Sequence, residues 1–592
     1  MQRLLIGGMI VLASNSLSAQ VELEPTVVTA TRQNQSLDDT LAAVTLIDRA
    51  QIERSQAQDM SELLRTVPGI DLVRSGPRGT QTSLFMRGTN SNQVLVLIDG
   101  VRVSEAANGL FTWEHLALAQ IERIEIVRGP RAAYYGSDAV GGVIQIFTRR
   151  GQGIDLTVGG GSFSTRRGSL SLGGSRGAVD GRLTLSHDQS EGFSAQNENG
   201  FSFDPDNDGY RNFSLTAGGG YDFGGGRLSL SLYHSDAEAD FDAGVSDNLQ
   251  QNIALQLVLD QGGRWRHQAR AGFVHNQLDT ANAFGGSEVE TQRWDFSWLS
   301  GYRLSDSLEA QLGADFYTVD GEASGSFDES RDNLGVYTGL SWNHRNHDIA
   351  ASIRLDDDNR FGSEFSGQLA WGWRISQAWR FSASYGRSFR APNFNQLFSP
   401  GFGGLFAGNP ELEPETGDSF EFGLRYRQDD HQADVRWFQN DLNELIDFSG
   451  VDFQAVNVQE ARARGVEISY QWTPRNWRID AQATLQDTEN RMTGAELLRR
   501  PDHKASVVIE RQLGSGHWLG GEMIYIGERD DFGGITLDEY FLLNLRGRLQ
   551  LTPQWRLQAR VENLLDEAYQ PAQGFNGQGR SVFIELGWSG QL

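Results

Sequence analysis

Two acidic stretches hold the residues most able to do chemistry in this sequence. The segment FDPDNDGY, residues 203–210, has aspartates at alternate positions: Asp204, Asp206 and Asp208. A second segment, residues 236–248, begins one predicted hairpin later and has four more: Asp236, Asp240, Asp242 and Asp247. Carboxylates gathered in two adjacent loops repel one another unless a cation joins them, and Ca²⁺ binds about 6–8 oxygen ligands. The pattern therefore favours a calcium site.

The first stretch begins like an EF-hand loop but does not continue as one. Counting Asp204 as position 1, Leu215 occupies position 12, where an EF-hand loop carries a bidentate glutamate. The residues on either side alternate like strands instead of forming helices. The alternative interpretation is an acidic loop that is solvated and binds nothing.

Composition excludes several classes of protein. The chain has 592 residues, 69 glycines, no cysteine and a formal net charge of −26. No segment reaches the ~20 apolar residues of a membrane-spanning helix, and without cysteine there are no disulfides, iron–sulfur clusters or thiolate metal sites. The acidic balance argues against nucleic acid as a partner. No nucleophile–base pair or phosphate-binding loop stands out, so we do not expect an enzyme.

The first residues predict the compartment. Arg3 belongs to a short basic start, an apolar run follows from Leu4 to Ala13, and small residues lead to Ala19. This order is typical of a secretory signal peptide, which we predict over residues 1–19. The protein is therefore expected to leave the cytoplasm.

From about residue 150 the hydrophobic pattern has a period of two. In GRLTLSH, Leu183 and Leu185 share one side of a predicted strand and Thr184 lies on the other. Such strands recur to the end of the chain, and their polar faces are too polar for the core of a sandwich. A transmembrane β-barrel places apolar faces against lipid and polar faces toward a wet lumen. We predict an antiparallel transmembrane β-barrel of about 22 strands over residues 149–592, with a soluble all-β repeat protein as the alternative.

Residues 33–148 have a different pattern. Helical spacing over Ile52, Met60 and Leu63 is closed by a Pro-Gly pair, and the hydrophobic segments QVLVLIDG, IERIEIVRG and GGVIQIFT follow as predicted strands. These segments indicate a mixed α/β domain of ordinary single-domain size. In front of a large barrel it is either a separate periplasmic module or a plug inside the lumen.

Two long segments of this domain resemble a known family. They are VPGIDLVRSGPRGTQTSLFMRGTNSNQVLVLIDGVRV (residues 67–103) and IERIEIVRGPRAAYYGSDAVGGVIQIFTRR (residues 121–150), and both are similar to the plug of TonB-dependent outer-membrane receptors. The segments GRSFRAPNFNQLF, GNPELEPE and VENLLDEAYQPAQGFNGQGRSVFIELGW resemble barrel signatures of that family. Within the family, the plug resembles that of cobalamin (vitamin B12) transporters. The resemblance implies a monomeric multi-pass barrel, surrounded by outer-membrane lipids, that imports cobalamin and related corrinoids with energy delivered through TonB.

A short segment before the plug resembles the TonB box of the family. Residues 24–32 read EPTVVTATR, within a predicted TonB-box segment of residues 20–32. β-Branched residues favour an extended chain, which a periplasmic partner can capture as an added strand. The resemblance assigns the box to six residues: Pro25, Thr26, Val27, Val28, Thr29 and Ala30.

The resemblance also assigns calcium ligands. In cobalamin transporters such loops bind calcium and become ordered before the substrate binds, which carries the ligands onto four residues here: Asp206, Asp208, Asp242 and Asp247. Ser194 stands where the family has an aspartate. The site therefore either lacks one ligand or recruits another, with three options: Asp240, Asp204 and Asn197.

Substrate contacts carry over to the outward apex of the plug. By resemblance they fall at or near four residues: Ser75, Gln81, Asn108 and Gly109. Three plug arginines, Arg87, Arg128 and Arg131, are either gating contacts or structural ion pairs with the barrel wall, and we favour the structural role.

Two rival functions follow from the same residues. One is a TonB-dependent receptor for another substrate, such as a ferric siderophore, whose negative charge favours clustered cations near the apex; only Arg74 and Arg78 stand there. Haem is disfavoured because NFNQLFSPGFGGLFA has no histidine. The other rival is a passive porin or an adhesin, which would need neither a TonB box nor a plug.

Overall fold

The computed structural model describes Val27–Val28, Arg32 and residues 35–591, apart from 243, 283–284, 402–404 and 450–452. The predicted signal peptide, residues 1–19, lies outside the described residues. So do four residues of the predicted TonB box: Pro25, Thr26, Thr29 and Ala30. The described residues form a closed barrel and an N-terminal domain inside it.

The N-terminal domain consists of short strands and helices. In chain order they are β1 (Val27–Val28), β2 (Gln35–Ser36), β3 (Ala43–Asp48), α1 (Arg49–Ser55), α2 (Met60–Leu64), β4 (Ile70–Arg74), β5 (Thr82–Met86), β6 (Val94–Ile98), β7 (Val101–Arg102), β8 (Ile121–Arg128), α3 (Ala132–Tyr135) and β9 (Gly142–Thr148). Three 3₁₀ turns lie at Ser91–Gln93, Trp113–His115 and Leu118–Gln120. None of the helices in the described part of the chain is long and apolar enough to cross a membrane.

A five-stranded mixed sheet is the centre of this domain. Its strand order is β3-β8-β9-β6-β7, with β6 and β9 parallel and the other pairs antiparallel. Strand β6 reads VLVLI and every residue in it is buried, as expected for a strand covered on both faces. At the start of α1, the Asp48 side chain accepts a hydrogen bond of 2.7 Å from the backbone N–H of Gln51, which caps the helix.

The barrel has 22 antiparallel strands. Its first part contains β10 (Gly153–Gly161), β11 (Arg166–Arg176), β12 (Val179–Ser190), β13 (Tyr210–Phe223), β14 (Gly226–Phe241), β15 (Gly244–Gln261), β16 (Trp265–Asn282), β17 (Gly285–Ser305), β18 (Leu308–Ala323), β19 (Phe327–His344), β20 (His347–Asp358), β21 (Gly362–Arg374) and β22 (Trp379–Arg390). The rest follows helix α4 (Phe394–Phe398): β23 (Glu415–Gln428), β24 (His431–Ser449), β25 (Gln454–Trp472), β26 (Trp477–Asn490), β27 (His503–Gln512), β28 (Trp518–Ile526), a loop hairpin of β29 (Arg529–Asp531) and β30 (Ile535–Leu537), and then β31 (Tyr540–Gln550), β32 (Trp555–Glu562) and β33 (Ser581–Gly590).

The sheet closes because its first and last strands pair. Strand β10 is antiparallel to β33, with Leu156 opposite Trp588, so no strand edge is left open to lipid. The predicted 22-strand barrel with an N-terminal plug is confirmed.

The two faces of each strand have the predicted chemistry. In β19, Leu334 and Val336 face outward and are 50% and 48% exposed, whereas Asn333 faces the lumen and is 5% exposed. Aromatic rings meet near the short turns, as in Trp265 and Tyr302, whose ring centroids are 4.3 Å apart. Such rings form the girdle of an outer-membrane barrel.

The two ends of the barrel differ in the length of their connections. Short turns such as residues 177–178 join strands at the end where the chain leaves the N-terminal domain and enters β10. Long loops, including residues 191–209, lie at the other end. Outer-membrane barrels place short turns in the periplasm and long loops outside, so the loop end is the outer end.

Buried ion pairs tie the plug to the barrel wall. Arg87, which is 1% exposed, donates hydrogen bonds of 2.7 and 2.9 Å to Glu467 and one of 2.6 Å to Glu421. Arg128 lies 3.1 Å from Glu467, while Arg131 makes no carboxylate ion pair with any residue that the structure describes. The open question of a separate module or a plug is thus decided by contacts with the wall.

Candidate functional site

Three of the predicted calcium ligands meet at the outer end of the barrel. Carboxylate oxygens of Asp206, Asp208 and Asp242 lie within 4.8 Å of one another. Asp206 and Asp208 precede β13, and Asp242 follows β14 directly. Because these strands are paired, with Tyr210 opposite Ala239, the end of one loop lies beside the start of the next.

The hydrogen bonds of this acidic cluster leave a buried carboxylate oxygen without a partner among the described residues. Asp208 is 2% exposed and accepts a bond of 2.6 Å from the backbone N–H of Ala195. Asp242 is 3% exposed, and its Oδ1 accepts a bond of 3.2 Å from the N–H of Asp204. The Oδ2 atom of Asp242 is buried and has no partner among the described residues. A buried carboxylate oxygen beside other carboxylates is the kind of atom that a cation satisfies.

Electrostatics in the cluster follow from burial and like charge. Burial, followed by repulsion from Asp242, Asp206 and Asp240, raises the pKa of Asp208 to about 6. Burial also raises the pKa of Asp242, with Asp206 and Asp204 adding to it. Both shifts mean that the ionised, cation-free cluster is unfavourable.

The other proposed ligands lie elsewhere. Asp240 is exposed and accepts a bond of 3.3 Å from the N–H of Gly209, beside the cluster but outside the three-residue group. Asp247 is exposed on β15, whereas the next residue, Asn248, faces the lumen, so the strand directs Asp247 outward and away from the cluster. Ser194 stabilises the loop, since its hydroxyl donates a bond of 2.9 Å to the carbonyl of Asp204.

A cavity of about 420 Å³ lies between the plug apex and the barrel wall, next to this cluster. Three of the four predicted substrate residues line it, namely Ser75, Gln81 and Asn108; Gly109 is not among its lining residues. Asp240 and Asp242 also line it, so the acidic cluster borders the cavity. Side-chain amides contribute from the barrel wall: Asn248, Gln250, Asn276 and Gln277. None of the lining residues, all of which are described, is a lysine or arginine.

Three titratable plug residues in this cavity were not predicted from the sequence. Burial raises the pKa of Glu105 to about 7 and that of Glu114 to about 8, and it lowers the pKa of His115 to about 4. The His115 ring stacks on Tyr210 with centroids 5.8 Å apart. No local signal marks these residues, because their burial depends on barrel strands about 100 residues away in the chain. At neutral pH the side chains of Glu105, Glu114 and His115 therefore give the cavity either no charge or a negative charge, and no positive charge.

A second constellation lies beside the predicted TonB box. Val27 and Val28 pair antiparallel with Ser36 and Gln35. Arg32, two residues after the last predicted box residue, forms an ion pair of 2.7 Å with Asp315 of β18. The partner of Arg32 could not be found from the sequence, because it lies 283 residues further along the chain.

Comparison with known proteins agrees with this architecture. Residues 36–143 match the model of the TonB-dependent Receptor Plug Domain, and residues 149–564 match that of the TonB dependent receptor-like beta-barrel. The chain is 30% identical over 579 residues to the vitamin B12 transporter BtuB of Photobacterium profundum, with 94% of each chain covered. It is 29% identical over 602 residues to BtuB of Vibrio cholerae, with 95% of each covered.

Solved structures share the fold at lower identity. The ferric enterobactin receptor PfeA of Pseudomonas aeruginosa has a TM-score of 0.82 at 18% identity, covering 95% of this chain and 100% of that one. The ferric-catecholate import receptor Fiu of E. coli has a TM-score of 0.79 at 15% identity, covering 94% and 98%. At these identities the likeness concerns the fold alone.

Proposed function

We propose, from the premise that this chain belongs to the TonB-dependent receptor family of the outer membrane, that its cargo is cobalamin and related corrinoids. In this proposal, calcium at the acidic cluster orders the outer loops around the substrate. TonB supplies the energy by pulling on the box. The single observation that carries the choice of cargo is the outer cavity, which is lined by amides and acids and by no cation.

The charge of the cavity distinguishes a corrinoid from a ferric siderophore. A corrinoid carries a rim of neutral amides, which hydrogen-bond with side-chain amides such as those of Asn248 and Asn276. An anionic siderophore calls for cations near the apex. Both apex arginines are already neutralised, because Arg74 lies 2.6 Å from Asp59 and Arg78 donates a bond of 3.0 Å to Asp188. The names of the full-length relatives at about 30% identity support the same choice.

A ferric siderophore stays the alternative cargo from the sequence analysis, and the pairing of both apex arginines with carboxylates counts against it. A passive porin or adhesin is disfavoured, since the plug sheet occupies the lumen and is held there by buried ion pairs such as Arg87 with Glu467.

The acidic cluster supports the calcium part of the proposal. Asp206, Asp208 and Asp242 supply converging carboxylates, and the unpartnered Oδ2 of Asp242 adds an acceptor that no protein donor uses. Cations of this kind take oxygen ligands in a flexible arrangement that loops can provide. Asp240 is the nearest reserve ligand, while Asp247 faces outward and is left out of the set.

The box supports the TonB part of the proposal. Val27 and Val28 are already extended and hydrogen-bonded to a neighbouring strand. An extended segment of this kind can transfer its pairing to a strand of the periplasmic partner. We expect Val28→Pro, which removes a backbone donor, to abolish TonB-dependent uptake while cobalamin binding survives; normal uptake by this variant would reject the role of the box.

The test of cargo and cation is a titration of the purified protein in detergent with cyanocobalamin, once with excess calcium and once with chelator. Tight binding that weakens on chelation is the expected result. Binding that ignores calcium would retain the cargo and reject the metal. If cyanocobalamin does not bind in either buffer while ferric enterobactin binds, a ferric siderophore replaces cobalamin as the proposed cargo.

A further inference from the structure

The periplasmic end of the lumen holds a second and larger cavity. It has a volume of about 900 Å³ and lies between the plug and the barrel wall near the short turns. We call it the arginine vestibule, after the seven arginines that line it: Arg32, Arg123, Arg150, Arg182, Arg227, Arg266 and Arg270. Only two carboxylates, Asp99 and Asp180, are among its lining residues. The lining therefore carries five more positive than negative charges, seven against two, in a chain with a net charge of −26.

Carboxylates neutralise only part of this charge. Three of the arginines are paired: Arg32 with Asp315, Arg123 with Glu125, and Arg227 with Asp180 and Asp222. The other four have no carboxylate ion pair within the part of the chain that the structure describes: Arg150, Arg182, Arg266 and Arg270. Arg270 donates a bond of 2.8 Å to the carbonyl of Gly100, and Asp315 and Asp99 act on its charge without forming an ion pair with it.

These side chains point into the lumen because of strand parity. Arg182 shares a face of β12 with Thr184, which is 2% exposed, and Arg266 and Arg270 share a face of β16 with Val274, also 2% exposed. Successive residues of a strand alternate between faces, so these arginines face water and the plug. Arg150 lies in the linker between plug and barrel.

The two ends of the lumen therefore have opposite electrostatics. The outer cavity has acids and no lysine or arginine, and the inner one has seven arginines against two carboxylates. Guanidinium groups bind phosphate oxygens through paired, charge-assisted hydrogen bonds. A field of this sign draws an anion toward the periplasm and repels a cation.

We propose that the arginine vestibule binds the phosphodiester of the corrinoid as the cargo leaves the plug on the periplasmic side. This inference rests on the proposed function, because cobalamin carries one phosphodiester between its corrin ring and its nucleotide. The vestibule thereby provides a second binding site, which favours movement of the corrinoid toward the periplasm after TonB has opened the plug. It plays no part in recognition at the outer cavity.

The test compares two cargoes that differ in this group. Cyanocobalamin has the phosphodiester, and dicyanocobinamide lacks it together with the nucleotide. The variant R150Q/R182Q/R266Q removes three cations that have no carboxylate partner, and R303Q/R345Q/R475Q is the matched control, since these three exposed arginines lie outside the vestibule. Binding at the outer face is measured on energy-depleted cells and TonB-dependent uptake on energised cells.

We expect the vestibule variant to bind both corrinoids like the unmodified protein. Its uptake of cyanocobalamin should fall about fivefold, because several partly exposed charge contacts to phosphate are lost together, while its uptake of dicyanocobinamide stays unchanged. The control variant should transport both normally. If the triple variant reaches the membrane poorly, the single variant R266Q, a change at one exposed position near a turn, takes its place. It should lower the uptake of cyanocobalamin by a smaller factor and leave the uptake of dicyanocobinamide unchanged.

Two results would overturn the proposal. Unchanged cyanocobalamin uptake would mean that the cations do not handle cargo, and an equal fall for both cargoes would mean that they act on the plug, or on another phosphate such as a lipid headgroup. Failure of the unmodified protein to bind either corrinoid is a separate outcome, seen before any uptake is measured, and it would remove the proposed function and this inference with it.

Discussion

Arg32 and Asp315 form a two-point ion pair that joins the start of the N-terminal domain, next to the predicted TonB box, to the barrel wall. Nη1 of Arg32 lies 2.7 Å from Oδ2 of Asp315, and Nη2 lies 2.9 Å from Oδ1. The guanidinium also faces the rings of Tyr135 and Tyr337, at 5.4 and 5.3 Å from their centroids. The start of the plug and the middle of strand β18 are thus held together inside the barrel.

We expect Asp315→Asn to loosen the box segment. The change removes the charge that Arg32 contacts, whereas Arg354 keeps its own partner, Asp356, at 2.7 Å. Because the chain has no cysteine, a single Val28→Cys change gives a unique site for maleimide labelling. Without cobalamin, maleimide should label position 28 roughly threefold faster in the Asp315→Asn variant than in the protein that keeps Asp315. A factor of this size matches the free energy contributed by one partly exposed ion pair. Asp320→Asn, an exposed position on the same strand, is the control; equal rates in both variants would contradict the holding role of the pair.

Calcium affinity should depend on pH through Asp208. Its pKa is raised to about 6 in the calcium-free protein, so below that pH the cation must displace a proton, and affinity should be about tenfold weaker at pH 5 than at pH 7. Without calcium the sign reverses: a raised carboxyl pKa makes the folded loop less stable as pH rises through about 6. Calorimetric calcium titrations at both pH values test this, and Asp208→Asn should bind more weakly with a flatter pH profile. A pH-independent affinity of the unmodified protein would show that Asp208 is not a ligand.

Substitution of Arg87 should destabilise the docked plug more than substitution of an exposed arginine. Arg87→Met leaves Glu421 buried beside Glu467 with less compensation, and breaking a buried pair costs about 3–5 kcal/mol. Arg211 pairs with Glu238 at the surface, where its side chain is 64% exposed, so Arg211→Met should cost less than about 1 kcal/mol. Labelling of a cysteine at Val96, buried in β6, reports plug unfolding in a urea titration. Similar midpoints for both variants would show that the buried pair does not stabilise plug docking.

A methyl group at Gly79 should disturb the outer cavity. Gly79 has φ +89°, and a Cβ there would clash with the ring of Tyr210, which stacks on His115. Gly177 also has a positive φ, +63°, but a Cβ there meets nothing within 4 Å. Gly79→Ala should therefore lower stability by about 1–3 kcal/mol more than Gly177→Ala and weaken cyanocobalamin binding. Binding by Gly79→Ala that matches that of the control would mean that the Tyr210 ring does not shape the site.

The sequence by itself determined the class of fold and the family. The period-two alternation at Leu183 and Leu185 and the two long plug segments that resemble the family were sufficient, because strand parity and plug motifs are local properties of the chain. The 22-strand barrel, the plug, the family and the outer-membrane location are confirmed. The calcium ligands, the box and the choice of cobalamin stay predictions with the experiments given above.

Only the tertiary structure decided which residues meet. Asp242 joins Asp206 and Asp208 at the ends of two paired strands. Asp247 faces outward because it lies one residue before the lumen-facing Asn248 on β15, and one step along a strand reverses the side of the sheet. Asp315 reaches Arg32 across 283 residues, and the vestibule collects arginines from a plug strand, a linker and separate barrel strands. Local sequence patterns cannot place such residues together, because closure of the barrel around the plug sets the distances between them and their burial. The same distances and burial set the charge of each cavity.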